Sequence, residues 1–178
     1  MRIKNSMTAG GALAGAVAAV VLATAPALAA VSYDPATGTG FVGKGDVQTA
    51  FGWNNKQLQT NASGVTFTYD ATTHYSAVCE WVTGAGTRGQ KTHDITLSRH
   101  TSVSSAVAYD ARVQTQITGF NLTGISASST TGTVPEAGAP CVGSDDGVDH
   151  NGTWVSVTET GSTGSLSVGY GGTSVPLT

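Results

Sequence analysis

Alternation of apolar and polar residues predicts β-strands along most of this chain. Residues 65–69 alternate Val, Phe and Tyr with Thr, which is the period of a strand with one buried and one solvated face. A polar stretch at 70–74 predicts a turn, after which residues 75–82 alternate again and carry Cys79 and Trp81 on one face. The pattern therefore predicts two adjacent antiparallel strands whose Cys79 and Trp81 face lies in the core.

Further strands are expected towards the C-terminus. Residues 102–113 fit a strand or a helix, and the β-rich surroundings favour the strand. Two Thr-Gly pairs within 115–125 predict a strand with glycine bulges. The remaining predicted strands are 91–100, 153–160 and 165–170, the last two joined by a hairpin turn at 161–164, and a short strand that includes Ser174 and Val175. About seven or eight short strands predict an all-β fold, an antiparallel β-sandwich or barrel-like domain.

Other segments lack the strand period. Residues 31–43 are rich in Gly and Thr and predict a flexible N-terminal arm. A short helical turn is expected from Asp46, as its N-cap, to Phe51, with Gly52 ending it. A short strand is expected at 56–59. The longest stretch without a strand period, 126–151, predicts a surface loop.

The first thirty residues have the features of a secretory signal peptide. Arg2 and Lys4 precede an uncharged apolar stretch, and Ala27-Leu-Ala29 forms a small-x-small cleavage site. An uncleaved N-terminal anchor is the alternative. The expected organisation is a signal peptide at 1–30, the arm at 31–43 and a single β-domain at 44–178, secreted to the extracellular space, with no membrane association after cleavage.

Charge and cysteine content restrict the possible partners and the compartment. Residues 31–178 contain six basic and eleven acidic residues, a net charge of −5, and the basic residues are scattered. Nucleic acid is therefore not expected as a partner. Export to an oxidising space favours a disulfide between Cys79 and Cys141 over two free buried thiols. In the chain-entropy treatment, such a loop closure stabilises the fold by about 4 kcal/mol.

Motifs for catalysis and metal binding are weak. Two Gly-x-Gly-x-x-Gly matches, at 38–43 and 84–89, lack the strand–turn–helix context of a dinucleotide site. No Gly-x-Ser-x-Gly elbow occurs, and the four histidines lack zinc-ligand spacing. We therefore assign no catalytic residue, metal or cofactor.

Two binding alternatives remain open at this stage. The acidic loop could bind calcium through oxygen ligands, although its spacing differs from the EF-hand and favours a solvated loop; its candidate ligands are Asp145, Asp146, Asp149 and Asn151. The tryptophans could form a sugar-binding platform, but core positions are favoured; they are Trp53, Trp81 and Trp154.

Three segments carry a resemblance to a known group of proteins. Residues 41–55 (FVGKGDVQTAFGWNN), 79–81 (CEW) and 108–112 (AYDAR), together with the alanine-rich signal, resemble small secreted β-proteins of Streptomyces and relatives. Some proteins of this kind serve as adaptor subunits of umbrella toxin particles, in which they bridge a lectin subunit and a large toxin chain. The resemblance implies the same kind of partners here.

The sequence thus predicts a secreted, non-enzymatic protein–protein interaction module. The arm at 31–43 is one expected contact, because an extended segment can add to a partner's sheet edge or fill its cleft. Its binding residues are expected to be Tyr33, Phe41 and Val42, together with Trp53 beyond it. The alternatives are a carbohydrate- or cell-wall-binding module and a secreted hydrolase or hydrolase inhibitor.

Overall fold

The computed structural model describes residues 31–144 and 147–178, and these residues form one curled antiparallel sheet. Its strands are β1 (Ser32–Asp34), β2 (Thr39–Gly43), β3 (Thr66–Val82), β4 (Arg88–Tyr109), β5 (Ile117–Thr131), β6 (Pro140–Gly143), β7 (His150–Tyr170) and β8 (Thr173–Pro176). They are ordered β1-β2-β5-β4-β3-β7-β6, and β8 also pairs with β7. The predicted antiparallel all-β class is confirmed. The eight strands belong to one curled sheet. The more detailed prediction of a sandwich or barrel-like domain is therefore confirmed only in part.

Three strands are much longer than expected. The predicted turns at 70–74 and 161–164 are wrong, because both stretches continue as strand within β3 and β7. They lie opposite each other in the ladder, where His74 pairs with Gly161 and Asp70 pairs with Ser165. Each stretch supplies the backbone partners of the other, so polar side chains on a solvated sheet replace the expected turns.

The loop expected at 126–151 is also partly strand. Here β5 continues to Thr131, β6 spans Pro140–Gly143, and β7 begins at His150. The ambiguous segment 102–113 is strand as far as Tyr109. The expected C-terminal strand is β8.

The expected N-terminal arm is a hairpin of the sheet. Ser32–Asp34 pair with 39–41, and Thr39–Gly43 pair with 119–123 of β5. Asp34 stabilises the turn, since its carboxylate accepts hydrogen bonds from the Ala36 amide (2.9 Å) and the Thr37 hydroxyl (2.8 Å). The predicted boundary at residue 44 is therefore not a boundary of the sheet.

The predicted helical turn is the helix α1 (Lys44–Phe51). It begins earlier than expected, with Gly43 as the N-cap, because Asp46 acts from the third helical position and accepts a hydrogen bond from the Gly43 amide (3.1 Å). Gly52 ends the helix in the left-handed conformation (φ 66°), as expected.

The strand expected at 56–59 is instead the helix α2 (Asn55–Asn61), which a 3₁₀ turn at Ala62–Gly64 follows. Its N-terminus is stabilised reciprocally. The Asn54 side-chain oxygen Oδ1 accepts a hydrogen bond from the Gln57 backbone amide (3.0 Å), and the Gln57 side-chain oxygen accepts one from the Asn54 backbone amide (2.9 Å). This capping box determines the helix.

Two separate clusters are buried against the sheet. The main cluster joins α1 and α2 to one end of the sheet, and its most deeply buried side chains include Phe67, Phe120, Leu58, Val42 and Val47. The second cluster lies at the opposite end of β3 and consists of Cys79, Trp81 and Cys141, with Trp154 packed against it. Cys79 and Cys141 form the predicted disulfide, with Cα atoms 6.0 Å apart.

Register shifts occur along the ladders that β5 and β7 make. Pairing of β3 with β4 is uninterrupted from Phe67 to Val82, whereas β5 and β7 each carry extra residues opposite β4 and β3. The extra residues are Thr118, Thr123, Ser126, Val155 and Thr160. All except Val155 have a hydroxyl that donates a hydrogen bond of 3.1–3.3 Å to a carbonyl of the facing strand. These bulges bend the sheet, and the hydroxyls satisfy carbonyls at the shifts. The predicted bulges at the Thr-Gly pairs are confirmed.

Candidate interaction surface

The central parts of strands β3, β4 and β7 lie between the two buried clusters. We call this region the blade; it comprises residues 70–78 of β3, 91–100 of β4 and 155–165 of β7. We call the side of the sheet that carries Phe67 and Cys79 its inner face. The two clusters hold β3 and β7 at both ends of this region.

The inner face of the blade carries an apolar strip. Directly opposed residues of antiparallel strands point to the same side, and Tyr75 faces Ile95, Thr73 faces Leu97, and Ala77 faces Val157. The apolar strip is therefore formed by Tyr75, Ile95, Leu97 and Val157. Each of these four side chains is half-buried. The apolar strip joins the two clusters as a partly solvated surface.

The outer edge of β7 is uncovered beside this strip. At one end of the stretch, the Trp154 amide donates to the Ala139 carbonyl (2.9 Å); at the other, the Leu177 amide donates to the Leu166 carbonyl (2.8 Å). Between them, residues 155–165 pair with β3 on one side and have no strand on the other within the described residues. Along these eleven residues, the backbone donors and acceptors that point away from β3 therefore face solvent.

The outer face of the blade is polar and includes a histidine–carboxylate pair. His100 Nδ1 lies 2.5 Å from Asp70 Oδ1, and the two side chains are 55% and 58% exposed. Ser129 stands directly opposite His100 on β5, so Asp70, His100 and Ser129 follow one another across three strands. The pair borders a groove of about 540 Å³ that Tyr170 also lines.

The predicted binding residues lie at the other end of the sheet. Val42 is 0% exposed in the main cluster, so its predicted role as a partner anchor is wrong. Its side chain is buried between β2 and the helices and is not accessible to a partner. Tyr33, Phe41 and Trp53 are half-buried. Tyr33 packs on Tyr69 with ring centroids 5.1 Å apart. Contacts of Tyr33, Phe41 and Trp53 with a partner stay predictions.

Two groups of the N-terminal hairpin have perturbed acidities. Burial raises the pKa of the Tyr33 phenol above its ordinary value of 10.0, and the nearby Tyr69 adds to the rise. The Thr37 hydroxyl and then the Ala36 amide donate to the Asp34 carboxylate and lower its pKa below 3.8. The ionised form of Asp34 is therefore part of the folded turn.

The tryptophan of the second cluster is unavailable as a sugar platform. Trp81 is 3% exposed, and its ring stacks on His150 (centroids 5.8 Å apart, planes at 7°). A Cβ atom at Gly89 or Gly143 would overlap that ring, so these glycines leave the space that Trp81 fills. This tryptophan is a core residue, as the favoured interpretation predicts.

Among the residues that the structure describes, the remaining sequence candidates form no further site. The structure does not describe Asp145 and Asp146 of the acidic loop, and the residues that it does describe contain no group of three or more metal-ligating side chains. In the same residues, no helix has the length and apolar content needed to cross a membrane.

Comparisons with protein-family models, with curated proteins and with solved structures found no match to this chain.

The blade was missed by sequence reasoning, because its two polar stretches have the composition of turns. A usable signal was the similar length of the polar stretches 70–74 and 161–164, which have five and four residues, since two solvated strand centres that pair are alike in length.

Proposed function

We propose that this protein is a secreted, non-enzymatic interaction module that binds other extracellular proteins through the blade, as an adaptor between subunits of a secreted toxin complex. The observation that carries the proposal is the apolar strip. Partly exposed aromatic and aliphatic side chains on one face of a β-sheet mark a surface that a protein partner covers. The disulfide fits the extracellular location.

Rigidity adds to the argument for a binding role. The strip lies on continuous strands whose ends are held by the main cluster and by the disulfide-linked second cluster. A partner that covers Tyr75 and Ile95 therefore orders little of this chain on binding, and less of the contact energy is lost to ordering. This pre-organisation suits a bridging subunit.

The test is recovery of partners from the native culture supernatant. Tagged protein would be compared with an Ile95→Asp variant, which places a charge in the strip, and with a Thr96→Asp variant, which places it on the opposite face of β4. We expect the wild type and Thr96→Asp to retain the same partners in mass spectrometry, and Ile95→Asp to lose them. Equal recovery by all three proteins, with both variants folded by circular dichroism, would refute the proposal.

A secreted hydrolase is the second candidate, and the alignment of Asp70, His100 and Ser129 favours it. This order of acid, base and hydroxyl is that of a nucleophilic triad. Purified protein would be assayed on p-nitrophenyl acetate beside a Ser129→Ala variant. Turnover that disappears in Ser129→Ala would establish the hydrolase and overturn the non-enzymatic proposal; we expect no difference between the two proteins.

A further inference from the structure

We propose that the outer edge of β7, residues 155–165, binds an extended segment of the partner protein as an added antiparallel or parallel strand, with a basic side chain of that segment beside Glu159. This inference rests on the proposed function and names the chemistry of the partner. Strand addition uses main-chain hydrogen bonds for affinity and alternate side chains for specificity.

The backbone of this edge is already set for pairing. The Leu166 carbonyl points away from β3, since it accepts from Leu177. In a strand, the amide and carbonyl of every second residue point to the same side, so Ser162 and Gly164 also present their backbone groups outward. The Thr160 hydroxyl holds the bulge against the His74 carbonyl, which leaves 161–165 as regular strand.

The other uncovered edge of the blade is protected. The outer side of β4 is unpaired over 88–97 among the described residues, but it carries Arg88, Lys91 and Asp94. Charged side chains, lysine above all, are what natural sheets use to prevent edge pairing. The free part of β7 contains no Lys, Arg or Pro, and Glu159 is its only charged residue. Of the two edges of the blade, β7 is the one without such charges. The edge of β5 beyond Thr123 is also uncovered and uncharged among the described residues, but it pairs with β4 beyond the apolar strip and does not border that strip.

Side chains beside the edge define the segment that fits. On the inner face, Val157 and Glu159 stand opposite Ala77 and Tyr75, so an added strand extends the apolar strip and meets one carboxylate. An apolar residue next to Val157 and a basic residue next to Glu159 complement this pair.

The overall charge favours a foreign partner over a second copy of the chain. Residues 31–178 carry a net charge of −5, so two copies repel each other at long range, whereas a basic segment is attracted. A second copy of the chain, paired through β7, is the alternative occupant of this edge, and the test must be able to detect such a dimer.

The experiment uses a defined probe on the protein after residue 30. The probe is a fluorescent, acetylated nonapeptide, Val-Thr-Val-Thr-Lys-Thr-Val-Thr-Val, and its matched control has Glu in place of Lys. Anisotropy titrations would include a Ser162→Pro variant, which removes one outward amide without removing a backbone hydrogen bond to β3. A Ser162→Ala variant is its control, because both variants lose the hydrogen bond between the Ser162 and Thr73 hydroxyls (3.3 Å). We expect saturable binding of the Lys peptide, about tenfold weaker binding of the Glu peptide, and loss of binding in Ser162→Pro alone.

Hydrogen exchange gives the location. Bound peptide should slow exchange of the Ser162 and Gly164 amides, while circular dichroism and the melting temperature show that Ser162→Pro is folded. Absence of binding, protection at β4 or β5, equal binding by both serine variants, or a dimer in light scattering without peptide would each overturn the inference. Loss of partners in Ile95→Asp with retention in Ser162→Pro would overturn strand addition and leave the proposed function standing.

Discussion

Removal of the disulfide should destabilise the protein by about 4 kcal/mol. Unfolding should then begin at the end of the sheet that contains the second cluster. Cys79 on β3 and Cys141 on β6 are 62 residues apart in sequence, and in the chain-entropy treatment closing a loop of that size stabilises the fold by about 4 kcal/mol. The perturbation is the double variant Cys79→Ala, Cys141→Ala. Alanine avoids an unpaired polar group at positions that are 0% and 8% exposed.

The loss should begin in the second cluster. That cluster contains one tryptophan besides the disulfide, and β6 is held to β7 by only four residue pairs. The main cluster lies at the other end of β3 and contains neither cysteine. Without the cross-link, β6 and the environment of Trp81 should open at denaturant concentrations that leave the main cluster folded.

Two probes measured in the same urea titration separate these events. A Trp53→Phe background restricts tryptophan fluorescence to Trp81 and Trp154, while far-ultraviolet circular dichroism follows the whole sheet. We expect coincident transitions in the cross-linked protein, and in the double variant a fluorescence midpoint below that of circular dichroism. Wild type reduced with a phosphine should behave like the variant. Coincident transitions and an unchanged free energy of unfolding in the variant would refute the reasoning.

Three further predictions concern single positions. Gly164→Ala should lower the free energy of unfolding by about 1 to 3 kcal/mol through overpacking, because the added Cβ would overlap Tyr69. Gly161→Ala meets no neighbour and should raise the free energy of unfolding by about 0.4 to 1 kcal/mol. Equal urea midpoints for the two variants would contradict this. Thr160→Val should lower stability by about 1 kcal/mol through the lost bulge hydrogen bond, and Thr160→Ser should not, in the same titration. The lowered pKa of Asp34 stabilises the fold above pH 3.8 and ceases to do so as pH falls through the folded-state value; Asp34→Asn should therefore reduce the acid dependence of stability, and an unaltered profile would contradict this.

The sequence predicted features that depend on local pattern. The face that carries Cys79 and Trp81, the disulfide, the end of α1 at Gly52 and the bulged course of β5 were all expected, and the structure has them. In β5, the first Thr-Gly pair, Thr118-Gly119, resets the alternation so that Ile117, Phe120 and Leu122 are all buried. Alternation and cysteine content carry such information without knowledge of the partner strand.

Features that depend on pairing were not predictable in this way. Residues 70–74 and 161–164 have turn composition and become strand only because each lies opposite the other. The segment 32–43 has no apolar period and is ordered because β5 provides its partner. Helix α2, where a strand at 56–59 was expected, was missed for a local reason, since Asn54 and Gln57 form a capping box that marks a helix start.

The candidate site belongs to this second class. A free edge is a property of strand order, and nothing in the residues of β7 reveals that β8 ends at Pro176 and β6 begins at Pro140 on either side of the stretch 155–165. The sequence did contain the complementary fact, the scarcity of charge in that stretch. Scarcity of charge is ordinary in a central strand and hazardous at an edge.

The difference between the edges of the blade bears on how the proposed strand addition avoids self-assembly of this protein. An open sheet with two equivalent edges would pair head to tail and grow into fibres. Here β4 presents Arg88 and Lys91 on one edge, and β7 presents a single acid, Glu159, on the other. Charges on the β4 edge alone are enough to prevent growth into fibres. The β7 edge then stays free to accept a strand of a partner. Removal of the basic charges from the β4 edge, by Arg88→Thr and Lys91→Thr together, should therefore promote concentration-dependent assembly, which light scattering would detect. An equally monomeric double variant would show that these charges do not protect the edge.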